Sequence, residues 1–183
     1  MNILLIDNGS TLEKKLELLL PATKIVRKSE SVLIGDAEES DVIILSGSAT
    51  LAVKYDYEKF ANEIQIIITI QKPIIGICFG CELISRAFGG EVRELARRDK
   101  GIKKIQILDK TLFDKSEIEV YENHKWAISK LPDDFLVVAE SETGPEIIKH
   151  KDLPIYGFQF HPENMVDQTE GDELFRKLIS HFS

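Results

Sequence analysis

The chain has 183 residues, 43% hydrophobic and 30% charged, with 23 Lys plus Arg against 31 Asp plus Glu and a formal net charge of −8. That mix excludes a disordered or fibrous chain and predicts one domain, residues 1–183, with a core that needs no disulfide or metal staple. The acidic balance argues against nucleic acid as the main ligand, no run approaches the ~18 apolar residues of a membrane span, and the opening apolar stretch lacks the basic start of a signal peptide, so a cytoplasmic location is expected.

Asn2 to Ile6 is an apolar run ending at Asp7-Asn8-Gly9-Ser10, which reads as a buried strand, a turn and a helix cap. Leu12, Leu16, Leu19 and Leu20 follow helical spacing, and Pro21 stops the helix. Lys24 to Arg27 predicts a second strand and Val42 to Leu45 a third, the latter bounded by the turn Ser46-Gly47-Ser48. Strand, helix, strand with wholly apolar strands is the pattern of a parallel sheet covered on both faces. Residues 56–70 are rich in isoleucine, which favours strand. A parallel crossover into the next strand, Ile74 to Ile77, requires a helix there, and a helix is predicted. An amphipathic helix follows Cys78 and ends at Gly89-Gly90. In the second half, residues 103–108, 117–121, 135–141, 146–150 and 155–160 predict short strands that look like antiparallel additions to the sheet. Residues 173–182 predict a closing helix.

Chemistry concentrates in Gly76-Ile77-Cys78-Phe79-Gly80. A thiol lies between a buried strand and a helix, with glycine two residues away on each side, as in the elbow of G-x-S-x-G hydrolases. The helix N-terminus is expected to lower the thiol pKa and to offer N–H groups to a developing oxyanion. A plain buried cysteine in a strand-to-helix turn is the bland alternative. Cys78 and Cys81 also form a lone C-x-x-C, a weak pointer to redox or metal chemistry; no second pair completes a zinc site. The second element is Gln159-Phe160-His161-Pro162-Glu163. His161 follows an apolar strand near the carboxyl edge of the sheet, where it could take the Cys78 proton, and Glu163 could hold the imidazole. A surface His-Pro turn is the competing reading for His161 taken alone.

With these motifs the chain resembles the class I glutamine amidotransferase domains, the Cys-His-Glu type, over nearly its whole length. Its nearest look is to the archaeal-type amidotransferase subunits of GMP synthetase. Besides the elbow and the His-Pro-Glu, the resemblance is carried by Asp7-Asn8-Gly9, Leu131-Pro132-Asp133-Asp134-Phe135, Ala139-Glu140-Ser141-Glu142, the segment from Lys149 to Gly157, and Thr169-Glu170-Gly171. It implies an α/β fold: an open, mostly parallel twisted sheet, flavodoxin-like, with helices on both faces plus antiparallel strands in the second half. It implies Cys78 as nucleophile on the glutamine amide, His161 as base and then acid, and Glu163 as its orienting partner. The backbone N–H groups of Phe79 and Ser48 would form the oxyanion hole. Gly47, Glu82, Asn123, His124, Lys125 and Trp126 would bind substrate. No metal or cofactor is implied for this chain; ATP and Mg²⁺ are expected only in a separate ATP-pyrophosphatase synthetase subunit that receives the ammonia.

Three departures stand out. The family's usual Ser-Gly-Gly-Pro is Ser46-Gly47-Ser48-Ala49, and Ser48 restricts φ where glycine would not. The usual Gln after the elbow is Glu82, which as a carboxylate accepts but cannot donate. The Ser-His-x-Asp usual in the GMP branch is Asn123-His124-Lys125-Trp126. Two other readings therefore stand beside that of a glutaminase feeding a synthetase. One is a stand-alone hydrolase of γ-glutamyl compounds, and the other is a non-catalytic regulatory relative. The intact Cys78, His161 and Glu163 weigh against the last.

Overall fold

The computed structural model describes residues 1–21, 24–28, 31–111 and 113–182, the side chains of residues 26–28 excepted. In chain order the elements are β1 Asn2–Ile6, α1 Glu13–Leu19, β2 Lys24–Lys28, α2 Ile34–Glu38, β3 Val42–Leu45, α3 Val53–Asp56, a 3-10 turn Tyr57–Phe60, α4 Ala61–Thr69, β4 Ile74–Ile77 and α5 Phe79–Ala87. There follow β5 Glu91–Ile107, β6 Glu117–Lys130, β7 Phe135–Ser141, β8 Gly144–His150, β9 Ile155–Phe158 and α6 Gly171–Ser180. One sheet of order β2-β1-β3-β4-β9-β8-β7-β5-β6 takes in all nine strands. The pairings from β2 through β9 are parallel, and those from β9 through β6 are antiparallel.

The apolar runs are continuous because both faces of the parallel half are covered. Ile3, Leu5, Val42, Ile44, Ile75 and Ile77 pack in one cluster with Leu16 and Leu19 of α1 and Leu174, Phe175 and Leu178 of α6. Their neighbours Leu4, Ile6, Ile43, Leu45 and Ile74 pack on the opposite face with Ala37, Val53, Ile66, Ile67 and the apolar face of α5. Each strand residue thus alternates between two cores, as the two-residue period of a strand requires.

Several expectations need correction. The turn after β1 does not cap α1 through a side chain: its N-cap is Leu12. Asp7 Oδ1 instead accepts from the N–H groups of Gly9 and Ser10, and Ser10 Oγ from Leu12 N–H. The helix over 56–70 is broken into α3, the 3-10 turn and α4. Asp56 Oδ2 accepts from Ala52 N–H and starts the first piece. The isoleucines are helical because Ile66 and Ile67 are needed in the core, and tertiary packing overrides their strand preference. β9 ends at Phe158 and pairs parallel with β4 on one side and antiparallel with β8 on the other, so it is the hinge between the two halves rather than an antiparallel addition. The strands expected at 103–108 and 117–121 are only parts of β5 and β6, a long two-stranded ribbon with register shifts between Glu94 and Asp99. His161 N–H donates to Tyr121 O at 2.9 Å, which draws β6 against the loop that follows β9.

Candidate active site

β4 delivers Cys78 to the carboxyl edge of the sheet. Its φ of 50° lies in the left-handed region, an uncommon conformation for a side-chain-bearing residue. The flanking glycines permit the turn. A Cβ on Gly76 would stand 2.4 Å from the Gly80 carbonyl carbon, and one on Gly80 would stand 2.5 Å from Leu45 O. Cys78 N–H donates to Phe158 O at 2.7 Å, and Cys78 O accepts from Glu82 N–H as α5 begins. Phe79 is the first residue of that helix, so its N–H has no intrahelical acceptor.

The loop after β9 brings His161 beside Cys78, and both are nearly buried. His161 Nδ1 lies 2.8 Å from Glu163 Oε1, and Glu163 is 1% exposed. A carboxylate can only accept, so Nδ1 carries the proton and Nε2 is left for the thiol. Burial lowers the His161 pKa, but the Glu163 charge and the Cys78 thiolate more than offset it and hold it well above the ordinary histidine value. The Cys78 thiol, in contrast, is pushed up: burial exceeds the stabilisation that His161 gives the thiolate. Burial thus runs against the lowering expected from the helix N-terminus. Cys78 and His161 are coupled through one proton, and Glu163 stabilises the imidazolium that forms when His161 holds it.

A cavity of about 130 Å³ opens at Cys78 and is lined by Ser48 to Ala52, Cys78, Phe79, Glu82, Arg98 and Asn123 to Trp126, with His161 behind the sulfur and outside this lining. Every residue expected to touch substrate is in that lining except Gly47. Gly47 sits behind the pair: a Cβ there would come within 3.1 Å of His161 Cε1 and 3.6 Å of Cys78 Cβ. Close approach, not backbone freedom, calls for glycine at 47. Nor is Ser48 strained, since its φ is not positive. Its Oγ accepts from Leu51 N–H at 3.0 Å and so shapes the loop.

Glu82, expected as a carboxylate that accepts but cannot donate, is buried beside the cavity. It is 3% exposed, its Oε1 accepts from Gln159 Nε2 at 3.1 Å, and burial raises its pKa to about 7. Lys125 is not its counterion: Lys125 Nζ donates to Leu95 O at 2.9 Å and lies 3.7 Å from Glu94 Oε1. Trp126 stands edge-on to Tyr55, ring centroids 5.5 Å apart. Cys81 is packed on the sheet, where a Cβ on Gly157 would come 2.5 Å from its sulfur. Both thiols are free. The C-x-x-C spacing thus reflects one residue at the strained turn and one packed on the sheet.

The family model for class I glutamine amidotransferases matches residues 4–181. The chain belongs to this family. It is similar to a glutamine-hydrolyzing GMP synthase subunit of Pyrococcus furiosus, 34% identical over 96% of each chain. It is likewise similar to the protein of the same name from Methanocaldococcus jannaschii, 34% identical over 96% of this chain and 95% of the other. A crystal structure from Thermoplasma acidophilum, described as that of a candidate GMP synthase subunit, superposes with a TM-score of 0.88 at 30% identity, covering 100% of this chain and 94% of that one. A glutamine amidotransferase structure from Thermotoga maritima shares the fold, with a TM-score of 0.74 at 17% identity over 100% of this chain and 97% of that one.

Within this amidotransferase cavity, Arg98 is the residue that sequence reasoning missed. It sits at the irregularity of β5 and its Nη1 lies 3.4 Å from both the backbone and side-chain oxygens of Asn123. The run Arg97-Arg98-Asp99-Lys100 reads as a solvated charged stretch, and Arg98 is indeed exposed; only the fold of the ribbon brings it to the rim of the cavity. A second opening of about 280 Å³ shares Ser48, Ala49, Arg98 and Asn123 with the first, and reaches His161 from the other side beside Lys100.

Proposed function

We propose that this chain is the glutaminase component of a two-chain GMP synthase. It hydrolyses glutamine to glutamate and ammonia, and hands the ammonia to a separate ATP-pyrophosphatase subunit that converts XMP to GMP. The observation that carries the reading is the buried Cys78, His161 and Glu163 arrangement, with Cys78 lining the cavity, in a chain similar over 96% of its length to a protein named as a glutamine-hydrolyzing GMP synthase subunit.

In this reading Cys78 Sγ attacks the amide carbon of glutamine as its proton passes to His161 Nε2. The N–H groups of Phe79 and Ser48 receive the negative oxygen. The intermediate collapses, the C–N bond breaks, and the leaving nitrogen takes the proton from His161 and departs as ammonia. Water then attacks the γ-glutamyl thioester, again with His161 as base; glutamate leaves and the sulfur regains its proton. Arg98 is the cation for the substrate α-carboxylate, and the Asn123–Trp126 wall fits the rest of the amino acid. Ammonia exits by the second opening toward the partner, which docks over Ala49, Arg98 and Lys100. Ser46 and His124 are too deeply buried to be part of such a surface. ATP and Mg²⁺ act on the partner. No described helix is long and apolar enough to cross a membrane, and we assign the pair to the cytoplasm.

A steady-state glutaminase assay with and without the purified synthetase partner tests this. A partner that docks beside the Ser48 loop and aligns its N–H on the oxyanion should raise turnover by up to roughly 10²–10³, the worth of one donor, and most with XMP and ATP present. High activity alone with no response to the partner would favour a stand-alone γ-glutamyl hydrolase. No activity under any condition would leave only a regulatory role.

A further inference from the structure

Behind the cavity wall lies a group of side chains that the glutaminase chemistry does not use. Glu122 and His124 are two residues apart on β6 and so share its inward face. Glu146 comes from β8. All three are buried, at 1%, 2% and 0% exposure, and one ligand atom from each lies within 4.8 Å of the others. His124 Nδ1 is 2.6 Å from Trp126 O, which can only accept, so Nδ1 bears the hydrogen, and in the neutral form of the ring Nε2 turns a lone pair inward. Nε2 then faces Glu122 Oε2 at 3.2 Å, acceptor against acceptor. Both oxygens of Glu122, Glu146 Oε2 and His124 Nε2 are buried with no hydrogen-bond partner among the described residues. Glu146 Oε1, by contrast, accepts from Ser141 Oγ at 2.5 Å and Thr143 Oγ1 at 3.2 Å. Ser141 and Thr143 thus hold Glu146 in place and leave its other oxygen open.

We propose that Glu122, His124 and Glu146 form a binding site for a divalent first-row transition cation of the Zn²⁺ class, which ties β6 to β8 behind the glutamine cavity. Two carboxylates and an imidazole lone pair, crowded together without a donor, need positive charge between them. Two protons would also cancel the charge, but each bridges only one pair of acceptors, whereas a single divalent cation cancels both carboxylates and meets all three acceptors at once. One nitrogen and two oxygens form a borderline set that suits Zn²⁺ and its neighbours better than Mg²⁺ or Ca²⁺, which prefer oxygen alone. The His124 Nδ1–H bond to a backbone carbonyl is the support that metal-binding histidines ordinarily have. Because His124 also lines the substrate cavity, the cation fixes the wall from Asn123 to Trp126. The site lies outside the Cys78, His161 and Glu163 set and does not depend on the reading of their chemistry.

The test uses the full chain as Cys78→Ala, so that the reactive thiol offers no competing ligand, stripped with chelator and titrated with Zn²⁺ or Co²⁺. One equivalent should bind, and saturating Zn²⁺ should raise Tm by about 5–10 °C. Bound Co²⁺ should give visible absorption of low coordination number without a thiolate charge-transfer band. The double substitution Glu122→Gln with Glu146→Gln, added to Cys78→Ala, should weaken binding at least 100-fold. Should that variant not fold, imidazole ¹⁵N NMR of the Cys78→Ala protein decides instead, with the His124 Nε2 resonance moving on Zn²⁺ addition while Nδ1 keeps its proton. Failure of Cys78→Ala to bind a cation, an equivalent retained by the double variant, or an Nε2 resonance that does not move would each overturn the site and leave a shared proton in its place.

Discussion

β4 and β6 both present residues to the same cavity, yet they reach it by opposite routes. β4 is four residues long, wholly buried between two helical layers, and ends abruptly in a strained turn that fixes one sulfur. β6 is fourteen residues long, alternates buried and half-exposed positions, pairs along its length with β5 alone, and lays four consecutive residues along the cavity. The parallel half therefore offers a position set by packing on every side, suited to a reacting atom. The ribbon offers a wall whose residues can differ between relatives without disturbing the sheet, suited to recognition. Of the three departures from the family pattern, Asn123-His124-Lys125-Trp126 lies on the ribbon, as does Arg98, which escapes sequence reading, whereas Ser48 and Glu82 lie in the parallel half, where Cys78, His161 and Glu163 follow the pattern.

The sharpest way to break this division is at the sulfur. Cys78→Ala should lower glutaminase kcat by at least about 10⁴-fold, since a nucleophile and its base act as a unit. Cys81→Ala should change stability more than turnover, because Cys81 is packed against Gly157. Treatment with diazo-oxo-norleucine followed by mass spectrometry should place the adduct on Cys78. An adduct on Cys81 would mean that the strained turn does not select the reacting thiol.

The same division explains what was legible in the sequence. Buried parallel strands are continuous apolar runs with turn residues at their ends, so β1, β3 and β4 are visible without a structure, and the glycine spacing around Cys78 marks the elbow. The ribbon hides its nature. Glu91 to Lys100 is so charged that nothing marks a strand, because that face is solvated and only Leu95 is buried. Arg98 is exposed and stands at the cavity rim beside the irregularity at Glu94–Asp99, a backbone feature with no residue signature. Glu82 was legible as a residue but not as a charge state. Its environment is set by Gln159, 77 positions away, and by burial, neither of which local sequence records.

A second prediction tests the wall. Arg98→Gln should raise KM for glutamine roughly 10–100-fold while kcat changes little, because a charge-assisted contact made equally in ground and transition state is lost. Steady-state kinetics separates the two parameters. A fall in kcat at constant KM would move Arg98 from recognition to chemistry and blur the contrast between the ribbon and the parallel half.

Gly47 tests the opposite assignment at smaller scale. The alanine methyl of Gly47→Ala would meet His161 Cε1 at 3.1 Å and shift the ring by a few tenths of an ångström. Since misplacement by a full ångström costs about 10²-fold, kcat should fall about tenfold with KM held. An unchanged kcat would show that the imidazole has more freedom than its bond to Glu163 implies.

The smallest effect is expected at Glu82, where α5 of the parallel half meets the ribbon's wall. Burial favours its neutral form, so the folded pKa of about 7 lies above the ordinary 4.5. Below pH 7 the group is mostly neutral, and the site resembles one carrying the amide of glutamine. As pH rises through 7, Glu82 ionises beside a cavity that must accept an anionic α-carboxylate, and KM should climb a few-fold. Glu82→Gln should remove that rise and match the native enzyme at pH 6. The sign for stability is the same. A raised carboxyl pKa means the folded state holds the extra proton, so its contribution to stability is present below pH 4.5 and is lost as pH rises from there through 7. Glu82→Gln should therefore flatten the decline of unfolding free energy over that window. KM profiles measured from pH 6 to 8.5, with denaturant unfolding from pH 4.5 to 8, check both statements together. A native KM that stays level through pH 8 would mean that Gln159 and His124 keep the charge of Glu82 from reaching the substrate, and that the cavity wall is insulated from the helix beneath it.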